Sequence, residues 1–192
     1  SPNRIGEHID PALRQSHMLV THFWNPPHLV PLVEVVPHDG LDDGVRERAL
    51  ALLRRLGKAP VVLKKDVPGH IGNRLQHALY REALHLIEEG AASPEDIDTV
   101  VLQSLGPRFA RIGPMEYFDS VGFDLHRQVQ SYLYPSLCNA SEPQGIIVRK
   151  IEDRQLGAKS GQGLYPWSPE AVESFRRRKN AAFIELLKQR RG

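Results

Sequence analysis

Residues 22–36 read HFWNPPHLVPLVEVV, and they place an acidic side chain, Glu34, inside an apolar run. A carboxylate buried among such neighbours is costly unless a partner compensates its charge. His22 is the nearest candidate partner, because it ends an apolar run that predicts an adjacent strand. An imidazole oriented by a carboxylate is a common general base near neutral pH. We therefore interpret His22 as a candidate base and Glu34 as the carboxylate that orients it. The alternative for Glu34 is a solvent-facing position on an edge strand.

The apolar pattern of the first third predicts the end of an α/β domain. Strands are expected over 18–23, 32–36 and 60–63, and the second is apolar enough to lie in a sheet covered on both faces. Apolar residues at helical spacing predict a helix that begins at about residue 42 and ends before Gly57. Near the N-terminus, Pro11 is expected to break a short helix that starts at Ile5.

Every element predicted after residue 67 is a helix. A cluster of helix breakers at 66–69 predicts a boundary, which divides the chain into parts 1–66 and 67–192. Capping residues and apolar spacing predict helices over 71–89, 94–105, 124–134 and 146–156, with further helices that start at Pro114 and Pro169.

Residues 22–36 resemble the catalytic stretch of the L-3-hydroxyacyl-CoA dehydrogenases and their lambda-crystallin/L-gulonate and carnitine dehydrogenase relatives. Segments 66–98, 112–124 and 156–167 match the same family in the same order. The resemblance implies a mainly α fold, in which a helical domain like the C-terminal domain of 6-phosphogluconate dehydrogenase follows the last strands and helix of a Rossmann-type domain. It also implies an NAD-dependent homodimer that oxidises a 3-hydroxyacyl-CoA, as in fatty-acid β-oxidation.

The resemblance assigns roles to five residues. It makes His22 the base, Glu34 its orienting carboxylate and Asn73 a contact to the substrate oxygen. Ser1 lies 21 residues before His22, where the family has a serine that binds the reacting oxygen. Asn25 is a candidate contact to the cofactor. The alternatives are that Asn25 shapes the proline turn and that Asn73 caps a helix.

The glycine-rich turn that holds a dinucleotide, G-x-G-x-x-G, does not occur in the sequence. We therefore expect the chain to be the C-terminal portion of a longer enzyme, inactive and unable to bind NAD by itself. Two alternatives remain open. The substrate could be a hydroxy acid without CoA, of the L-gulonate or carnitine type, or the chain could be a dimerisation module.

Composition limits the other function classes. A net charge of +2 gives no strong bias toward nucleic acid or membranes, and one cysteine allows no internal disulfide. The basic run 176–179 is interpreted as a solvated helix face, since four successive helical residues point in different directions. We assign no set of histidines, cysteines and acidic residues as a metal site. We expect a cytoplasmic protein without metal, nucleic-acid or membrane partners.

Overall fold

The computed structural model describes the backbone of residues 2–189 and the side chains of residues 4–189. These residues form two compact units. One contains the residues up to Gln76 together with those from Glu170 onward, and the other contains His77–Pro169. The domain boundary after residue 66 stays a prediction about the intact protein.

The first unit contains a three-stranded sheet with the order β1-β2-β3. Its strands are β1 (Val20–Phe23), β2 (Leu32–Val36) and β3 (Ala59–Val62). β1 is antiparallel to β2, whereas β2 is parallel to β3. A parallel pair requires a crossover, which helix α3 (Asp43–Arg55) supplies. The three strands and this helix lie where the sequence predicts them, with ends shifted by one or two residues.

The core of this unit lies between β2 and α3. Val33 and Val35 are fully buried and pack against Leu50 and Leu53 of the helix. Because successive side chains of a strand point to opposite faces, Glu34 lies on the other face of the sheet from α3. The central strand thus fixes both the core and the position of the carboxylate.

The N-terminal segment corrects one prediction. It forms α1 (Pro2–Ile5), a 3₁₀ turn (Gly6–His8) and α2 (Pro11–His17). Pro11 begins α2 instead of ending a helix, because its missing N–H falls where no intrahelical bond is made. The Asp10 side chain caps this helix by accepting hydrogen bonds from the amides of Ala12 and Leu13.

The rest of the described chain is mainly helical, which confirms the predicted fold class. Its helices are α4 (Gly72–Glu88), α5 (Pro94–Val100), α6 (Gly106–Phe109), α7 (Pro114–Val121), α8 (Phe123–Leu133), α9 (Gly145–Glu152) and α10 (Pro169–Gln189). A π-helical turn (Val101–Leu105) joins α5 to α6, so this helical run extends beyond the predicted end at 105. The helix predicted over 146–156 ends earlier, at Glu152.

Candidate active site

His22 and Glu34 face each other across the β1–β2 ladder. The antiparallel register pairs them directly, so their side chains project from the same face of the sheet. His22 Nδ1 lies 2.8 Å from Glu34 Oε2. The Glu34 side chain is 1% exposed and that of His22 is 30% exposed. A solvent-facing position for Glu34 is therefore wrong, and the histidine is the more accessible member of the pair.

Glu34 accepts hydrogen bonds from four donors. The amides of Ile71 and Gly72 donate to Oε1 at 2.8 and 3.0 Å. The Trp24 indole N–H donates to Oε2 at 3.2 Å, the same oxygen that His22 contacts. Amide and indole nitrogens only donate, so both carboxyl oxygens act as acceptors, which favours the ionised form of Glu34.

The pKa of Glu34 reflects two opposed effects. Burial by itself raises this pKa, because the ion loses its hydration. The hydrogen bonds from Gly72, His22, Trp24 and Ile71 outweigh burial, and they hold the pKa of Glu34 below its ordinary value of 4.5. The carboxylate therefore keeps its negative charge near neutral pH.

An ionised Glu34 fixes the tautomer of His22. Because Oε2 accepts, Nδ1 carries the proton of the neutral imidazole, and Nε2 keeps its lone pair. If Nε2 takes up a proton, the ring becomes a cation beside the buried carboxylate, which stabilises it. This arrangement is that of a positioned general base.

A tight turn places the two amides that bind Glu34. The His70 N–H donates to the Val67 carbonyl at 3.0 Å, and Gly69 between them has φ +77°. Proline followed by a glycine of positive φ is typical of a type II turn, and Pro68 precedes Gly69 here. The breaker cluster predicted as a boundary is thus the turn that directs the start of α4 toward Glu34.

Trp24, His70 and Gly72 are site residues that sequence reasoning missed. A Cβ added at Gly72 would lie 2.1 Å from Trp24 Cζ2, so the indole occupies the space beside this glycine. The His70 ring centroid lies 5.2 Å from that of His22. Only the glycine carried a sequence signal, since glycine at the start of a helix often marks close approach of another group.

The remaining predicted site residues have weaker structural support. Asn73 directly follows Gly72 and is partly buried at the start of α4. Asn25 is exposed in the loop between β1 and β2. Lys58 holds this loop by donating to the carbonyl oxygens of Pro27 and Val30. Ser1 lies outside the described residues.

Membrane-spanning helices and metal clusters are absent from the described residues. Within residues 2–189, no helix is both long and apolar enough to cross a membrane. In the same described range, no three His, Cys, Asp or Glu side chains come together as a metal site would require.

Two family models match the chain. The model described as 3-hydroxyacyl-CoA dehydrogenase, C-terminal domain, matches residues 69–167, which are more than half of the chain. The model described as 3-hydroxyacyl-CoA dehydrogenase, NAD binding domain, matches residues 1–67. NAD, the cofactor predicted from the sequence, is the ligand that this second description names.

Individual relatives extend the similarity over most of the chain. 5-Formyl-3-hydroxy-2-methylpyridine 4-carboxylate 5-dehydrogenase from Mesorhizobium japonicum is 38% identical over 176 residues, which cover 90% of this chain and 57% of that protein. Lambda-crystallin from Oryctolagus cuniculus is 34% identical over 179 residues, which cover 90% of this chain and 54% of that protein. The chain thus spans little more than half the length of these relatives.

A solved structure agrees over the whole chain. It is a 5-formyl-3-hydroxy-2-methylpyridine 4-carboxylic acid 5-dehydrogenase, described as an NAD⁺-dependent dismutase. It matches with a TM-score of 0.91 and 33% identity, over 100% of this chain and 61% of that one.

Proposed function

This chain belongs to the 3-hydroxyacyl-CoA dehydrogenase family, and we propose that it carries the general base of an NAD-dependent dehydrogenase that oxidises a hydroxyl group. The observation that carries the proposal is the His22–Glu34 pair. The pair leaves one imidazole nitrogen free to accept a proton, next to a carboxylate that four donors hold in place.

The proposed proton transfer uses His22 Nε2. This nitrogen takes the hydroxyl proton of the substrate, and Glu34 stabilises the imidazolium that results. When bound, NAD would accept the hydride from the carbon that bears this hydroxyl, so that the alcohol becomes a carbonyl. Asn73, and Ser1 in the intact enzyme, are proposed to hold the substrate oxygen by hydrogen bonds. Asn25 is the residue proposed to contact the cofactor.

The described residues fit the reactive end of such a cofactor better than its phosphates. The βα connection after β2 contains no glycine-rich turn, and the Asp42 carboxylate caps α3 by accepting from the Val45 amide. An acidic cap followed by Asp43 repels a second anion at this helix N-terminus. We therefore assign phosphate binding to residues other than those of this connection. The described site residues are assigned to proton transfer, to the substrate oxygen and to the cofactor contact proposed for Asn25.

The substrate is proposed to be a 3-hydroxyacyl-CoA, as in fatty-acid β-oxidation. The family models that match the chain support this proposal by their descriptions. A hydroxy compound that carries a carboxylate in place of the CoA thioester is a second candidate. It is favoured by the match to a pyridine carboxylate dehydrogenase over 90% of the chain.

An assay of the intact protein that contains this chain tests the proposal. Purified protein and NAD are mixed with L-3-hydroxybutyryl-CoA, L-gulonate or L-carnitine. The reduction of NAD to NADH is followed by absorbance. Turnover of the first substrate supports the CoA proposal, whereas turnover of either acid alone supports the second candidate. A His22→Ala variant as active as the wild type would exclude His22 as the base.

A homodimer is the proposed assembly. In the second unit, large apolar side chains are unusually exposed, among them Val100 (60%), Leu102 (66%), Met115 (69%) and Phe123 (67%). Exposed apolar side chains of this size are typical of interfaces when they form a contiguous patch. Light scattering of the intact protein at tens of micromolar should report a dimer, and a monomer would contradict this proposal.

A further inference from the structure

We propose that His70 is a substrate-binding residue, which donates a hydrogen bond to a carboxylate or carbonyl oxygen close to the hydroxyl that His22 deprotonates. The inference rests on the proposed function and specifies its substrate class. That class is a hydroxy compound with a second acceptor oxygen on a neighbouring carbon or the next one.

The first observation is an unpaired polar atom. His70 Nδ1 is buried and, among the described residues, has no hydrogen-bond partner. Burying an imidazole nitrogen in this way is unfavourable, and native proteins do so rarely. Hydrogen bonding to a bound ligand would remove the penalty.

The second observation is the backbone at the same residue. His70 has φ +51°, a left-handed conformation that glycine adopts with least strain and that asparagine, aspartate and histidine adopt more often than other side chains. Glycine would satisfy the turn through Gly69 with less strain, whereas histidine also supplies an imidazole. Strain of this kind is concentrated at binding and catalytic sites, where the side chain is needed for another purpose.

The third observation is the position of His70 beside His22. The ring centroids of His70 and His22 are 5.2 Å apart and the rings are tilted by 55°, so the two imidazoles are close enough to contact one small molecule. Both oxygens of the neighbouring carboxylate, Glu34, already accept hydrogen bonds from other residues. The described part of the site therefore offers the lone pair of His22 Nε2 to the substrate hydroxyl, and His70 with its proton on Nδ1 offers a donor to a second, acceptor oxygen of the ligand.

The test compares two substitutions of His70 by residues that tolerate a left-handed backbone. His70→Gly removes the imidazole, whereas His70→Asn keeps an amide donor close to the Nδ1 position. His28→Gly is the matched control, because His28 is an exposed histidine in the loop after β1. The intact protein is titrated with malonate, an inert dicarboxylate, by isothermal calorimetry, and its KM and kcat are measured with L-3-hydroxybutyryl-CoA and L-gulonate.

We expect His70→Gly to weaken malonate binding by about 10- to 100-fold, the usual effect of losing a hydrogen bond to a charged group. KM for the substrate that is turned over should rise by a similar factor, with a much smaller change in kcat. His70→Asn should recover most of the affinity, and His28→Gly should match the wild type. The urea midpoint of His70→Gly should equal or exceed that of the wild type, because an unpaired polar atom is removed.

Two results would overturn the proposal. One is malonate affinity that is absent in the wild type or unchanged in His70→Gly. The other is a large fall in the urea midpoint of both variants, which would make His70 a structural residue. If malonate binds through His70 but none of L-3-hydroxybutyryl-CoA, L-gulonate and L-carnitine is turned over, the role of His70 stands and the proposed substrates are refuted.

Discussion

Replacing Gly72 by alanine should destabilise the protein through the Trp24 side chain. The new methyl group would lie 2.1 Å from Trp24 Cζ2 and 3.0 Å from its Cε2 and Cη2, so the indole or the start of α4 must move. Moving the indole breaks its 3.2 Å hydrogen bond to Glu34. The substitution thus tests whether Gly72 is required by packing and not by backbone conformation, since its φ is not positive.

The magnitude follows from three contributions. Overpacking costs about 1–3 kcal/mol, and losing a hydrogen bond to a charged group costs about 1.5–3 kcal/mol. The higher helix propensity of alanine offsets up to about 1 kcal/mol of this destabilisation. We therefore expect Gly72→Ala to lower the free energy of unfolding by about 1.5–6 kcal/mol.

Urea unfolding followed by far-UV circular dichroism measures this change, and a double-mutant cycle assigns its cause. Trp24→Phe removes the part of the ring that meets the new methyl group, so Gly72→Ala should cost at least about 1 kcal/mol less in that background. Gly113→Ala is the control, because nothing lies within 4 Å of its Cβ and its φ is −63°. Stability equal to the wild type for Gly72→Ala, or full additivity with Trp24→Phe, would refute the reasoning.

Three further predictions concern the proposed base and its carboxylate. His22→Ala in the intact protein should lower kcat by about 10²- to 10⁴-fold with a much smaller change in KM, as measured by steady-state kinetics. Glu34→Gln should lower kcat, because a neutral amide does not stabilise the imidazolium that proton transfer forms; a kcat equal to that of the wild type would contradict this. Because the pKa of Glu34 is lowered on folding, its stabilising contribution is complete above the ordinary value of 4.5 and is lost as pH falls through the folded value. The difference in urea midpoint between wild type and Glu34→Gln should therefore shrink below about pH 4.5, and a difference that grows would contradict it.

Sequence reasoning succeeded where the physical cause was local. An acidic residue within an apolar strand had to find a partner, and β2 does bury Glu34 against His22. Helix ends were predicted correctly where glycine provides the left-handed residue. Gly57 (φ +73°) follows α3, and Gly90 (φ +70°) follows α4.

The same rule explains a prediction that was wrong. The helix predicted to reach residue 156 ends at Glu152, because Arg154 takes the left-handed conformation with φ +58°. The Gln155 amide then bonds to the Lys150 carbonyl, as in helix ends that use glycine. Arginine gives no such signal in a sequence, so the apolar spacing alone extended the predicted helix too far.

The missed site residues depend on contacts that sequence spacing does not contain. Trp24 and Gly72 are 48 positions apart in the chain, and their complementary sizes have meaning only once α4 begins beside β1. This dependence links the turn after Val67 to the proposed chemistry. The turn directs two amides at one oxygen of Glu34, which leaves the other oxygen for His22 and Trp24. A carboxylate held by fewer donors would be costlier to bury and freer to rotate away from the imidazole. The glycine that admits the indole therefore contributes to holding Glu34 against His22 as well as to packing.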